Sequence, residues 1–252
     1  MKALGIDIGG SGIKGAPVDV ITGETLTERF RIPTPQPATP QAVAEIVRKV
    51  VEHYQWTGPI GCAYPGVVRS GMIESAANVD ASWIGTNGPE LLEEATECPV
   101  TMINDVDAAG IAEMAFGAGA GRTDVVMMLT FGTGIGSAMF VNGVLAPNTE
   151  FGHLEFNGME AEHYAASRVH EELNLSYEEW GARVGEFLRH LQKLFSPDLF
   201  ILGGGISKYF SKFAHMLEVP TQVEQATFRN QAGIIGAALV GIPSNLAGLA
   251  SS

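Results

Sequence analysis

The sequence is poor in cysteine and in positive charge, and it has no long apolar run. Its two cysteines, Cys62 and Cys98, stand far apart in apolar surroundings. Neither a disulfide framework nor a cysteine-built zinc site is available, and both read as small core residues. Only 15 Lys and Arg face 28 Asp and Glu, for a net charge of −13 and a pI near 4.8. That balance opposes non-specific attraction to nucleic acid and to anionic membranes. It also works against any long anionic ligand, although the opposition is screened beyond about 8 to 10 Å at cellular salt. A ligand bearing phosphate therefore needs a local patch of cations. No apolar stretch attains the roughly 18 to 20 residues of a membrane span, and the N-terminal MKALGIDIGG enters a strand pattern with no secretory signal. A cytoplasmic protein without membrane or nucleic-acid partners is expected.

What is abundant is apolar side chains and glycine. The chain is 46% hydrophobic and 17% charged over 252 residues, ample for a buried core in one large domain or two small ones. Glycine reaches 31 residues, about 12% against an average of roughly 7%. The glycines cluster in short runs after apolar stretches, where backbone can turn tightly around a ligand.

Lys2 to Ile8 reads as a buried strand, Gly9-Gly10-Ser11-Gly12 as a turn, and Ile13 to Val18 as the return strand of a hairpin. A proline-rich connection from Arg31 to Pro40 leads to Thr39, placed to cap a helix with Pro40 at its first position. Val43, Ile46, Val47, Val50, Val51 and Tyr54 then recur at helical spacing. Ile60 to Tyr64 and Val100 to Ile103 are short strands that end at Pro65-Gly66 and Asn104-Asp105. In open α/β sheets ligands gather at such strand ends. The second half repeats the opening: MLTFGTGIGSAMFV has the plan of GIDIGGSGIKGAPV, an apolar strand, a glycine turn with a hydroxyl residue, and an apolar strand. This duplication predicts an α/β molecule of two lobes around a nucleotide or phosphate cleft. Helices are expected over Glu160 to Leu173 and Tyr177 to Phe195, a strand over Asp198 to Leu202, a helix from near Ser207 and a last one over Asn230 to Val240. A tail of small residues follows over 243–252.

Three glycine turns carry the phosphate chemistry. Phosphate oxygens need backbone N–H groups at close range, which glycine permits, and a carboxylate nearby can hold Mg²⁺ through its water shell. Gly9, Gly10 and Ser11, with Lys14 as a point charge and Asp7 as the carboxylate, form one such set. Thr133 and Gly134 form the second. Gly203, Gly204 and Gly205 form the third, at a strand end before the helix near Ser207. Lys208 and Lys212 beyond it either bind a phosphate chain or solvate a helix.

Asn104-Asp105 is the candidate catalytic pair. Asp105 can accept a hydroxyl proton and orient the oxygen toward phosphorus, while Asn104 bonds a neighbouring hydroxyl. The alternative use of Asp105 is as an Asx cap on a helix over Val106 to Phe116. Glu150, His153 and Glu155 place two carboxylates and an imidazole within one short stretch, suited to adjacent sugar hydroxyls. A metal is the rival use, although no cysteine is near to favour zinc. Asn78 can add a hydrogen bond, and Trp83 either an apolar face for the sugar or a buried side chain.

These motifs, taken in order with Asn142-Gly143 and Gly152, resemble the ROK family of sugar kinases over residues 1 to about 240. Within it, the short chain, Thr130 to Ser137 and Leu202 to Lys208 are most similar to the bacterial branch that phosphorylates glucose from polyphosphate. The resemblance implies an actin-like ATPase (ribonuclease H-like) fold of two domains, 1–108 and 109–252, with the C-terminal helix packing back on the first. It implies Asp105 as general base, and glucose held by Asn78, Asn104, Asp105, Glu150, His153 and Glu155. Gly9, Gly10, Ser11, Lys14, Thr133, Gly134 and Gly203 to Gly205 would face the phosphoryl donor, polyphosphate or ATP, with Mg²⁺ near Asp7. A homodimer is expected. Many family members carry a Cys-rich zinc motif after the equivalent of Gly152-His153; Leu154-Glu155-Phe156-Asn157-Gly158 stands there instead, so zinc is not expected and His153 is left for sugar. Repressors of the family carry an N-terminal DNA-binding helix pair, and this sequence begins at the strand before Asp7. The alternatives are an ATP-dependent glucokinase, a kinase of another hexose such as mannose or an N-acetylated amino sugar, and a non-catalytic sugar sensor.

Overall fold

The computed structural model describes residues 1–242; the tail expected over 243–252 lies outside the described residues. The chain forms two compact units. Among the described residues, one comprises 1–112 together with 231–242, the other Glu113–Asn230.

The first unit is built on β1 (Lys2–Ile8), β2 (Ile13–Asp19), β3 (Glu24–Thr25), β4 (Phe30–Ile32), β5 (Ile60–Tyr64) and β8 (Val100–Asn104). The strand order is β3-β2-β1-β5-β8, with β4 also paired to β2. β1 and β2 form the expected antiparallel hairpin, while β5 joins β1 and β8 joins β5 in parallel. All five residues of β5 are buried, as a central parallel strand covered on both faces requires.

α1 (Pro40–His53) starts as its sequence predicts, with the Thr39 hydroxyl accepting from the Ala42 N–H at 3.3 Å. Its stripe of Val43, Val47 and Val50 joins Leu4, Ile6 and Ile8 of β1 in one core cluster. The alternate residue Gly5 faces the other way, onto α8 (Ala232–Val240). A Cβ at Gly5 or at Gly61 of β5 would overlap the carbonyl of Ile234 or Ala237, so only glycine lets this helix lie against the strands. α8 is buried at every residue but Gly233, as its uniformly apolar sequence requires. A hairpin of β6 (Val68–Arg69) and β7 (Met72–Ile73), and α2 (Gly88–Thr96), complete this unit. α3 (Asp105–Phe116) runs across the boundary between the units.

The second unit repeats the plan. β9 (Val126–Phe131) and β10 (Ile135–Val141) form an antiparallel hairpin extended by β11 (Val144–Ala146). β14 (Leu199–Gly203) and β15 (Gln222–Gln225) add in parallel on the other side, for the order β11-β10-β9-β14-β15. The duplication read from two hairpins thus extends to whole sheets. A small hairpin, β12 (Glu155–Phe156) and β13 (Met159–Glu160), leads into α4 (Ala161–Ala165) and α5 (Ser167–Glu172). α6 (Tyr177–Phe195) begins in a capping box of Ser176 and Glu179 and buries Trp180, Val184, Phe187 and Leu191 against Phe131, Phe200 and Leu202.

Two expected helices take other forms. The segment from Glu160 to Leu173 breaks at Ala166, where ψ is 157°. The buried Trp180 indole donates to the Ala165 and Ala166 carbonyls at 3.0 and 3.2 Å, a tertiary bond that takes up acceptors a continuous helix would use itself. After Gly203 comes a 3₁₀ turn, Gly205–Tyr209, and then the four-residue α7 (Phe210–Phe213). The Gly204 carbonyl takes both the N–H and the hydroxyl of Ser207, which tightens the turn.

Candidate active site

On the first unit the expected site residues share one sheet edge. The parallel register sets Asp7 beside Ala63 and Tyr64 beside Asn104, so β1, β5 and β8 end together and their following loops adjoin. Gly9 and Gly12 exchange backbone hydrogen bonds at 3.2 and 3.3 Å, closing the first glycine turn. The Ser11 carbonyl receives Arg31 at 2.7 Å, and the Gly9 carbonyl receives the Thr34 hydroxyl. A Cβ at Gly10 would lie 2.7 Å from the Cβ of Asn78, so glycine brings this turn against the exposed Asn78, itself in the left-handed region at φ 62°. Asp7 and Lys14 are register partners across β1 and β2, and Lys14 Nζ donates to Asp7 Oδ2 at 3.0 Å.

Asn104 is buried, and it is the helix cap. Its Oδ1 accepts from the Val106 and Asp107 N–H groups at 2.8 and 3.0 Å, and its Nδ2 donates to the Gly66 carbonyl at 3.1 Å. Asp105, considered for that role, is instead the first residue of α3 and is half-buried. Trp83 belongs to the core. It is fully buried, its indole donates to the Ala38 carbonyl at 3.0 Å and its ring packs on Tyr64, so it offers no face to a sugar.

On the second unit, β9 and the parallel β14 end side by side, with Thr130 opposite Gly203. The Gly132 N–H donates to the Gly134 carbonyl at 3.0 Å, and Thr133 stands exposed at the tip. Gly204, at φ 85°, packs on the Phe131 backbone where any Cβ would overlap, while Gly205 faces open space. Ser137 anchors the next stretch: its hydroxyl donates to the Thr149 carbonyl at 2.7 Å and accepts from the Phe151 N–H at 3.0 Å. This fixes Glu150 ahead of the 3₁₀ turn Phe151–His153.

His153 Nδ1 lies 3.0 Å from Glu160 Oε2. Glu162 completes the group, with one ligand atom of each of the three residues within 4.8 Å of the others. Glu162 Oε2 also accepts from the Ile135 N–H at 3.3 Å, and a Cβ at Gly134 would overlap it, so Glu162 seats the second glycine turn beside the imidazole. Burial pushes the Glu150 carboxyl above its ordinary range; His153 opposes the shift and Glu162 adds to it. The hydrogen bond to Glu160 raises His153, against burial, and lowers Glu160 in return. Glu155 is exposed on β12, opposite Glu160 in register. Glu160 and Glu162 were not singled out in the sequence, where they follow the recognisable motif and read as the start of a helix.

Residues 3–163 match the ROK family. This chain belongs to the ROK family. The ROK reading of the sequence and the actin-like α/β fold it implied are borne out. Among ROK relatives, the polyphosphate glucokinase of Mycobacterium tuberculosis is 51% identical over 95% of this chain and 91% of its own. The crystal structure of the inorganic polyphosphate/ATP-glucomannokinase from Arthrobacter sp. strain KM is 46% identical with a TM-score of 0.91, covering 95% of this chain and 98% of that one. The ROK family glucokinase from Streptomyces griseus, in complex with glucose and AMPPNP, is 25% identical with a TM-score of 0.77, covering 94% and 98%. Among the described residues no helix is long and apolar enough to cross a membrane.

Proposed function

We propose that this chain transfers a phosphoryl group from inorganic polyphosphate to glucose, giving glucose 6-phosphate, with Asp105 as general base. The observation that supports the reaction type is the place of Asp105 in the chain: it is the first residue of α3, directly after Asn104 at the end of β8, on the sheet edge where β1 also ends and leads into the first glycine turn. Donor and acceptor are supported by the 51% identity to a polyphosphate glucokinase over nearly the whole chain. In this reading the cytoplasmic enzyme works as a homodimer.

Asn78, Asn104, Glu150, His153 and Glu155 hold the sugar hydroxyls. Asp105 accepts the proton of the 6-hydroxyl as its oxygen bonds to the terminal phosphorus of the donor. The bond from that phosphorus to the bridging oxygen breaks, and the donor leaves one phosphate shorter. Backbone N–H groups of Gly9, Gly10, Ser11, Thr133, Gly134 and Gly203 to Gly205 bind phosphate oxygens, and Lys14 adds positive charge. Asp7 fits a hydrated Mg²⁺: it is a partly buried carboxylate with Oδ2 on Lys14, and the space beside it is kept open by Gly233, where a Cβ would lie 3.3 Å from its Cγ. When bound, Mg²⁺ neutralises charge on the donor. His153, Glu160 and Glu162 could hold a metal ion; zinc has no part in the proposal, since Leu154 to Gly158 lack the cysteines of the zinc motif that many family members carry there.

The test is glucose 6-phosphate formation with Mg²⁺ and either polyphosphate or ATP, beside Asp105→Asn. The variant should lose on the order of 10²- to 10⁴-fold in kcat and keep its glucose affinity. No product with either donor would overturn the proposal and leave a kinase of another hexose or a sugar sensor. Use of both donors, and of mannose beside glucose, is the second reading, favoured by the 46% identity to a polyphosphate/ATP-glucomannokinase; ATP alone would make the chain an ATP-dependent glucokinase.

A further inference from the structure

Two lysines of the second unit have no part in the chemistry above. Lys208 lies in the 3₁₀ turn Gly205–Tyr209 and Lys212 in α7, and both are exposed. The Lys208 ammonium lies 4.7 Å from the centre of the Tyr209 ring. The Lys212 ammonium lies 5.0 Å from that same ring and 4.7 Å from Tyr177. The two aromatic rings are themselves in contact, with centres 5.1 Å apart. Neither lysine forms an ion pair with any described residue. No acidic residue occurs between Asp198 and Glu218, in a chain with 28 of them.

A merely solvated face in so acidic a chain would set its lysines among carboxylates, as Arg48 and Lys49 are set beside Glu45 on α1. Here tyrosines hold the ammonium groups instead. Such a cation–π contact leaves the N–H donors of each ammonium for an anion.

Their position relative to the glycine turns is fixed. Gln225 Nε2 donates to the Ser207 carbonyl at 2.6 Å, and Ser207 bonds twice to Gly204. Gly204 rests on Phe131, and the register of β14 on β9 carries the placement to Gly132 and Gly134. Lys208 and Lys212 follow directly on this third glycine turn, in the 3₁₀ turn Gly205–Tyr209 and in α7.

We propose that Lys208 and Lys212, held on Tyr177 and Tyr209, bind the distal phosphates of a long polyphosphate chain and so set the preference for long donors over short ones. The inference rests on the donor reading above and adds a second, outlying contact for the same substrate. It also answers the charge problem met in the sequence, since a local pair of cations acts within the screening length while the net charge is screened.

The experiment compares the native chain, Lys208→Ala/Lys212→Ala and Lys208→Arg/Lys212→Arg, in full-length protein with glucose and Mg²⁺. Long-chain polyphosphate, tripolyphosphate and ATP are the donors, and calorimetric titration of long-chain polyphosphate and tripolyphosphate is the second readout. The alanine pair should raise the ratio of KM for long-chain polyphosphate to KM for tripolyphosphate by about 10-fold, roughly the loss of two charge-assisted contacts near a surface. Its long-chain KM should also depend less steeply on salt, and the arginine pair should keep the native ratio. An unchanged ratio in the alanine pair, with polyphosphate still turned over, would overturn the lysine track and leave the donor reading standing. Turnover with ATP alone, with long-chain binding present in the native chain and weakened in the alanine pair, would overturn the donor reading and keep the track. Absence of both turnover and binding with long-chain polyphosphate would overturn both.

Discussion

His153 and Glu160 meet at 3.0 Å between Nδ1 and Oε2, joining the 3₁₀ turn after Glu150 to the second strand of a small hairpin. The carboxylate settles which imidazole nitrogen faces the protein and leaves Nε2 for a ligand. It also raises His153 above its ordinary value of 6.5, against the opposing effect of burial. For a raised histidine the stabilisation is fully present below the unfolded pKa and is lost as pH rises through the folded one.

The histidine titration gives the first prediction. By NMR, His153 should titrate above 6.5 in the native chain, and Glu160→Gln should bring its midpoint down toward that value. KM for glucose should rise about 3- to 10-fold in the variant, as for loss of one hydrogen bond that orients a ligand group. A midpoint that does not move would show that the pair does not form in solution.

Asn104 carries the second prediction. Its side chain satisfies two N–H groups at the start of α3 and one loop carbonyl, all from a buried position. Asn104→Ala should cost about 2 kcal/mol in urea unfolding, the sum expected of a lost cap and a buried acceptor left unpaired, and should lower kcat because Asp105 loses its support. Asn104→Asp keeps the cap acceptor and loses the donor to Gly66, so it should fall between the two. Full stability in Asn104→Ala would mean that α3 is held by packing alone.

Much of this was legible in the sequence because it is written in local terms. β1 and α6 have the bounds read from their apolar runs, Lys2–Ile8 and Tyr177–Phe195. What was not legible depends on partners distant in sequence. The break at Ala166 is made by Trp180 on α6, and the turn after Gly204 is held in part by Gln225 on β15. Asn104 and Asp105 are equally good caps by type, and the Gly66 carbonyl, in the loop that follows the neighbouring parallel strand β5, favours Asn104. Glu160 reaches His153 through the β12–β13 hairpin, and that hairpin has two-residue strands that leave almost no periodic signal.

Glu162 carries the third prediction, on pH. Glu150 has its carboxyl raised first by burial and then by the negative charge of Glu162, with His153 acting the other way. A carboxylate can accept hydrogen bonds from sugar hydroxyls at both oxygens, whereas its protonated form has lost acceptor capacity. In the proposed reaction, kcat/KM for glucose should therefore fall as pH drops through the raised pKa of Glu150, an acid limb lying above the ordinary 4.5. Removing a like charge favours ionisation, so Glu162→Gln should move that limb to lower pH. Burial remains in the variant, so the limb should still lie above 4.5. The loss of the Glu162 charge also removes its pull on His153, but Glu160, in direct contact, is the larger influence there. An acid limb at the same pH in both proteins would assign it to a group other than Glu150, whereas a downward shift would place Glu150, in its charged form, in contact with the sugar.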